Sequence, residues 1–158
     1  AAIVAWAFVS IEIMVIVTKI IKVDDTLFYS GLVFIFMASP LGSIIDLYRF
    51  VGPYDKIVHF ISGFLLAAFG MFIIEKLLKR TSKVEDLKPF VIPMIFTACM
   101  FSSGGAGLWE IFEFLADKIA GGGMQRGMVD TVTDMIAGNI GALVYGVVTL
   151  KQVSNKHR

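Results

Sequence analysis

Long apolar blocks constrain this chain more than any other feature. Each is about 20 residues long, the length a helix needs to cross the hydrocarbon core of a bilayer. Backbone polar groups find no water there, so a spanning segment of this kind must be helical. Five blocks are read in order, at roughly 1–21, 26–45, 55–74, 89–117 and 130–150. The expected fold is all-α: a polytopic helical bundle of about five transmembrane helices, forming a single transmembrane domain over residues 1–158. A hydrophobic content of 57% and a mean hydropathy of +0.81 exclude an ordinary soluble protein.

The connections carry the breaks. Lys19, Lys22 and the Asp24–Asp25 turn end the first block, which Glu12 interrupts. Pro40 and Gly42 predict a kink or an early stop near the end of the second. A polar connection, Asp46–Tyr54, leads to the third, where Asp55 follows Pro53 as a plausible N-cap. The charged stretch Glu75–Lys88 follows. The fourth block is too long for a straight span, and Gly104–Gly105 invites a bend. A glycine-rich loop at 120–128 precedes the fifth block, and the tail is basic. Small residues recur four apart at Gly63/Ala67, Ser103/Gly107, Ala137/Gly141 and Ala142/Gly146, which predicts close helix approach in the last three blocks.

Cation placement orients the chain. With five spans and the C-terminus inside, the inner face holds Lys19, Lys22, the five cations of 76–88, Lys151, Lys156 and Arg158. The outer face holds Arg49, Lys56, Lys118 and Arg126. The positive-inside rule then predicts a multi-pass inner-membrane protein, N-terminus out and C-terminus cytoplasmic. The first block has no basic region before it, so no cleavable signal peptide is expected. Cys99, the one cysteine, excludes an intrachain disulfide. No basic patch interleaves with aromatics, so no nucleic-acid partner is expected.

Against this apolar background the ionisable residues come in pairs. LWEIFEFLAD, Leu108–Asp117, carries Glu110, Glu113 and Asp117 on one helical face. Asp55 and His59 are one turn apart, as are Asp130 and Asp134. At 1.5 Å per residue, His59 and Asp134 lie roughly 25 and 24 Å from the inner ends of their helices, and Glu110 roughly 33 Å. All three pairs thus approach the outer edge of a core about 30 Å thick. Five carboxylates and an imidazole in one place repel unless a cation joins them. Oxygen-rich donors with one histidine suit Zn, Mn, Fe, Mg or Ca in varying degree. Di-metal helical bundles use related spacings, although their Glu-x-x-His pattern is lacking here.

Plainer readings stand beside this one. Asp55 and Asp130 can cap helices. Glu110 and Glu113 can form ion pairs with Arg126, Lys56 or Arg49. A lone His59 reads as a hydrogen-bonded core histidine, Asp117 as a solvated acid, and Trp109 as part of an interfacial belt.

YDKIVHFISGFLLA, GLWEIFEFLAD and GMVDTVTDMIAGNIGALV resemble, in that order, motifs of the YjdF-like inner-membrane proteins. The first and third also resemble the wider VanZ-like group. The matching positions are Asp55 and His59, Trp109, Glu110 and Glu113, and Asp130, Thr131 and Asp134. The resemblance implies a polytopic membrane protein and supplies no activity for the YjdF-like group. VanZ-like proteins are associated with glycopeptide-antibiotic resistance.

The functional expectation is a divalent-metal site of His59, Glu110, Glu113 and Asp134, with Asp55 and Asp130 as ligands or as supports that orient His59. Such a site would serve a metal-dependent enzyme acting on a lipid headgroup or envelope precursor at the outer leaflet. No nucleophilic serine or cysteine motif is present. The Gly121–Gly123 run lacks the Lys-Ser/Thr of a phosphate-binding loop and reads as a flexible connection. The alternatives are a cation- or proton-coupled transporter and a structural or partner-binding membrane subunit, whose polar cluster fixes helix packing.

Overall fold

The computed structural model describes residues 2–81, 86–121 and 123–155. Every regular element among them is helical. In order these are α1 (Ala2–Ile21), α2 (Asp25–Phe36) continued by a π-helical stretch (Met37–Ile44), α3 (Leu47–Phe50), α4 (Tyr54–Thr81), a 3₁₀ turn (Lys88–Phe90), α5 (Val91–Ala120) and α6 (Met128–Asn155). Among the described residues, four stretches are long and apolar enough to cross a membrane: Asp25–Ile44, Tyr54–Thr81, Lys88–Ala120 and Met128–Asn155. Ile119, Ile92, Leu108, Leu143 and many other large apolar side chains are exposed. A soluble chain rarely leaves so much contiguous apolar surface in water, whereas lipid tails cover it at no cost.

Two compact units are distinguished, Ala1–Val58 and His59–Arg158. In the first, Lys22 adopts a left-handed conformation that ends α1. Asp24 then caps α2 by accepting the Leu27 N–H at 3.0 Å. The break expected at Pro40 takes the form of the π-helical stretch, which Pro40 lies inside. Proline has no N–H to give, and its ring crowds the carbonyl four residues back, so a wider register relieves both problems. Ile45 N–H accordingly reaches back five residues to the Pro40 carbonyl. Tyr54 O–H donates to the Met37 carbonyl at 2.7 Å, and the Tyr48 ring packs against Gly42, where any side chain would overlap it.

The second unit is built on α4, α5 and α6. Met71, Met94, Ile95 and Ala98 form its apolar centre, with Tyr145 and Cys99 packed against them. Close approach depends on missing side chains. A Cβ at Gly63 would overlap the Gly138 carbonyl, and one at Gly141 would overlap the Phe60 carbonyl. Buried Ser102 donates its hydroxyl to the Gly63 carbonyl at 2.9 Å, linking α5 to α4. The small residues expected to pack on α5, Ser103 and Gly107, are each one position off: Ser102 and Ala106 are the buried pair. On α6 the buried small residues are Gly138, Gly141, Ala142 and Gly146. Four-residue spacing identifies a small-residue face only to within a neighbouring position, because adjacent small residues satisfy it equally well.

The helices also run past the expected ends of their blocks. α4 continues through Glu75 to Thr81, so the first half of the expected charged connection is helix. α5 is a continuous helix of 30 residues through Gly104–Gly105. α6 starts at Met128 and extends to Asn155. Glu, Lys and Arg are good helix formers, so charge marks where the apolar block stops rather than where the helix stops.

Candidate metal centre

Helix register places the ionisable residues directly above the small-residue contacts. His59 is four residues before Gly63 on α4, and Asp134 is four before Gly138 on α6. Glu110 is four after Ala106 on α5, which runs the opposite way along the sequence with respect to its site. Residues four apart stack on one helix face. A close contact at Gly63, Gly138 and Ala106 therefore brings the side chains of the next turn together. Gly138 sits within van der Waals reach of both Ala106 and the His59 carbonyl.

Asp55, His59, Glu110 and Asp134 are buried, with Asp134 only 1% exposed. Asp55 and His59 ride on successive turns of the single helix α4, so helix geometry alone relates them. Asp55, His59 and Asp134 each offer one ligand atom, and the three atoms lie within 4.8 Å of one another. His59 Nε2 and Asp134 Oδ1 are 3.7 Å apart. That is beyond an ordinary hydrogen bond, and it is close to the separation of two donors that share one ion at about 2.0–2.2 Å each.

Glu110 completes the picture from α5. It is 5% exposed, and neither carboxylate oxygen has a hydrogen-bond partner. It lies within electrostatic reach of His59, Asp134 and Asp130. Thr131 stands close by on α6, but no hydrogen bond of ordinary length and angle reaches either oxygen. A buried carboxylate left in this condition is costly, since desolvation is not offset.

The remaining candidates are placed differently. Glu113 accepts the Trp109 indole N–H at 2.8 Å along the surface of α5 and is outside the group of three. Asp130 lies in the first turn of α6 and faces Arg126 at 3.6 Å. Asp55 likewise lies inside the first turn of α4, with Lys56 Nζ at 3.8 Å. Arg49 pairs with Asp46 at 3.7 Å.

Asp117 is not simply solvated. Its carboxylate accepts the Met124 and Gln125 N–H groups at 3.1 and 2.9 Å, tying the loop before α6 to the end of α5. Gln125 then donates to the Thr131 hydroxyl at 3.2 Å. The glycine-rich connection is therefore held at Met124–Gln125, while residue 122 of its Gly121–Gly123 run lies outside the described residues. Spacing alone missed this tether, and also Ser102 and Gly138. Ser102 and Gly138 depend on partners from a distant part of the chain, and the tether on residues beyond the helix that carries Asp117.

The comparisons with known proteins agree with a membrane setting. A protein of Thermotoga maritima, described only as uncharacterised, is 28% identical over 123 residues. The match covers 77% of this chain and 60% of that relative, so the chain spans less than two thirds of the relative's length. No solved structure matches. The family described as predicted membrane protein (DUF2238) matches residues 1–155, nearly the whole chain. With a bundle of long apolar helices surrounding a buried Asp-His-Asp group, the chain belongs to this family of membrane proteins.

Proposed function

We propose that Asp55, His59 and Asp134 hold a divalent cation, with the Glu110 carboxylate beside it, and that the protein is a metal-dependent membrane enzyme. The observation that carries this reading is Glu110: a buried carboxylate with neither oxygen hydrogen-bonded, facing a buried imidazole and a second carboxylate. A cation supplies the charge that these groups lack from one another. Catalytic metal sites are built on three protein ligands more often than purely structural ones, which use four, and Asp55, His59 and Asp134 would supply three. Zn, Mn, Fe and Mg all accept mixed carboxylate and imidazole donors. Such an ion polarises a carbonyl or phosphoryl oxygen, or activates water. The bilayer setting makes a lipid headgroup or an envelope precursor the fitting substrate. Glu113 and Asp130 would serve as further ligands or as supports for this group. The order of the motifs is similar to that of the YjdF-like proteins, and the first and third motifs to those of the wider VanZ-like group.

Purified protein is expected to carry about one divalent ion per chain, and His59→Ala to lose most of it. Even groups that only support metal ligands cost roughly 10–100-fold in affinity when removed, so loss of a ligand should cost at least as much. Full metal content in His59→Ala, measured by elemental mass spectrometry, would defeat the assignment.

The orientation belongs to the same reading. The cation bias puts the 76–88 stretch and the C-terminus in the cytoplasm of a cell whose inner membrane holds the protein, with the site toward the outer leaflet. Lys83, Lys156 and Arg158, three of the inner cations, lie outside the described residues. Thr81 is exposed at the end of α4. A cysteine placed at Thr81 should resist an impermeant thiol reagent in intact cells and react after the membrane is opened. Ready labelling in intact cells would invert the orientation.

A further inference from the structure

At the opposite end of α4, α5 and α6 from His59, the three helices part to form a cleft of about 780 Å³. That volume falls within the roughly 300–1,000 Å³ of small-molecule sites. Its walls change character along their length. Phe64, Met71, Met94 and Tyr145 line the part nearer the middle of the helices, and Glu75 and Lys88 stand at the mouth. From Phe64 to Glu75 the α4 wall is roughly 16 Å long.

The ionisable residues that line the mouth are Glu75 and Lys88, and the segments bordering it carry more cations than acids. The described residues of 75–88 and 151–155 include Lys76, Lys79, Arg80, Lys88 and Lys151 against Glu75 and Asp86. Glu75 is engaged with Lys79 at 3.9 Å. Asp86 accepts the backbone N–H of Lys88 at 3.1 Å. Lys88 lines the cleft, is exposed, and has no described acid paired with its ammonium. An apolar slot open to a bilayer fills with hydrocarbon, and an unpaired lysine at its mouth attracts a phosphate. Basic pockets between transmembrane helices select anionic lipid headgroups for this reason.

We infer that this cleft binds one anionic glycerophospholipid, with an acyl chain along Met71, Met94 and Tyr145 and the phosphate at Lys88. The inference does not depend on the metal centre. With Glu75 engaged by Lys79, the ammonium of Lys88 sets the preference for an anionic over a zwitterionic head, while the apolar walls accept the chain of either.

The test uses the full chain, delipidated in detergent and titrated with dioleoyl phosphatidylglycerol or dioleoyl phosphatidylcholine. Retained lipid is counted by native mass spectrometry. The wild type should hold one phosphatidylglycerol at concentrations where phosphatidylcholine is not retained. Lys88→Gln, which removes one surface charge, should weaken retention about fivefold. Val148→Trp, which fills the cleft from α6, should abolish it. If Val148→Trp does not fold, the exposed Lys88→Gln change still decides. Equal retention of the two lipids, or unchanged phosphatidylglycerol binding by Lys88→Gln, would mean ordinary annular lipid and would overturn the inference.

Discussion

Asp134→Asn is expected to abolish the stabilisation that a divalent ion gives the protein, while leaving the metal-free fold intact. Asp134 is the most buried of the ionisable groups and one of the three that gather within 4.8 Å. An ion at 100 times its dissociation constant stabilises the folded state by about 2.7 kcal/mol. For a chain of this length that corresponds to roughly 5–10 °C in melting temperature. EDTA should therefore lower the wild-type melting temperature by this amount and leave Asp134→Asn nearly unchanged. The sign of the metal-free comparison is informative. Without an ion the wild type holds Glu110 and Asp134 within electrostatic reach of each other, and like charges oppose that arrangement. Asparagine keeps the shape and removes one charge, so the metal-free mutant should be at least as stable as the metal-free wild type. In a purely structural ion-pair network the order reverses. The same substitution would then leave a buried partner uncompensated, at about 3–5 kcal/mol, and the wild type would ignore EDTA. Thermal unfolding in detergent, with and without chelator, separates the two accounts.

Gly63→Ala should destabilise the protein and empty the site together. In an open helix position, glycine to alanine gains about 0.5–1 kcal/mol. At Gly63 the added carbon meets the Gly138 backbone carbonyl, which cannot rotate aside as a side chain would. α4 and α6 must separate, and overpacking of this kind costs about 1–3 kcal/mol. Since the clash is with backbone, the upper part of that range is expected, a fall of roughly 5–10 °C in melting temperature. Gly104→Ala is the control: it lies on α5 with nothing within 4 Å of the added carbon. It should be neutral or slightly stabilising. Because His59 and Asp134 sit one turn from the contact, Gly63→Ala should also lose bound metal, and Gly104→Ala should not. Equal melting temperatures for the two variants would refute the close approach of α4 and α6.

The behaviour of these two positions shows what local sequence conveys and what it omits. Helical character and membrane residence were readable from block length, because a bilayer forces a long apolar stretch to satisfy its backbone internally. The pairing of Asp55 with His59 and of Asp130 with Asp134 was also readable, because residues four apart share a face on any helix. Helix ends were less so. α4 and α6 continue into charged residues that favour helix as strongly as apolar ones do. Short-range contacts of the charged residues were open in the sequence. Arg126 stands by Asp130, Lys56 by Asp55, and Trp109 donates to Glu113, each within a turn of its partner, where spacing allowed several choices.

Only tertiary structure decided which of the six candidate residues meet. Asp55, His59 and Asp134 converge, and Glu110 is buried without a hydrogen-bond partner. The selection follows from Gly63, Gly138 and Ala106, where absent or minimal side chains let three helices touch and so fix their rotation. A helix by itself sets which of its residues share a face; it does not set which way that face turns. That rotation depends on contacts between residues tens of positions apart, such as Ser102 with Gly63 and Gly141 with Phe60, and no local pattern encodes it.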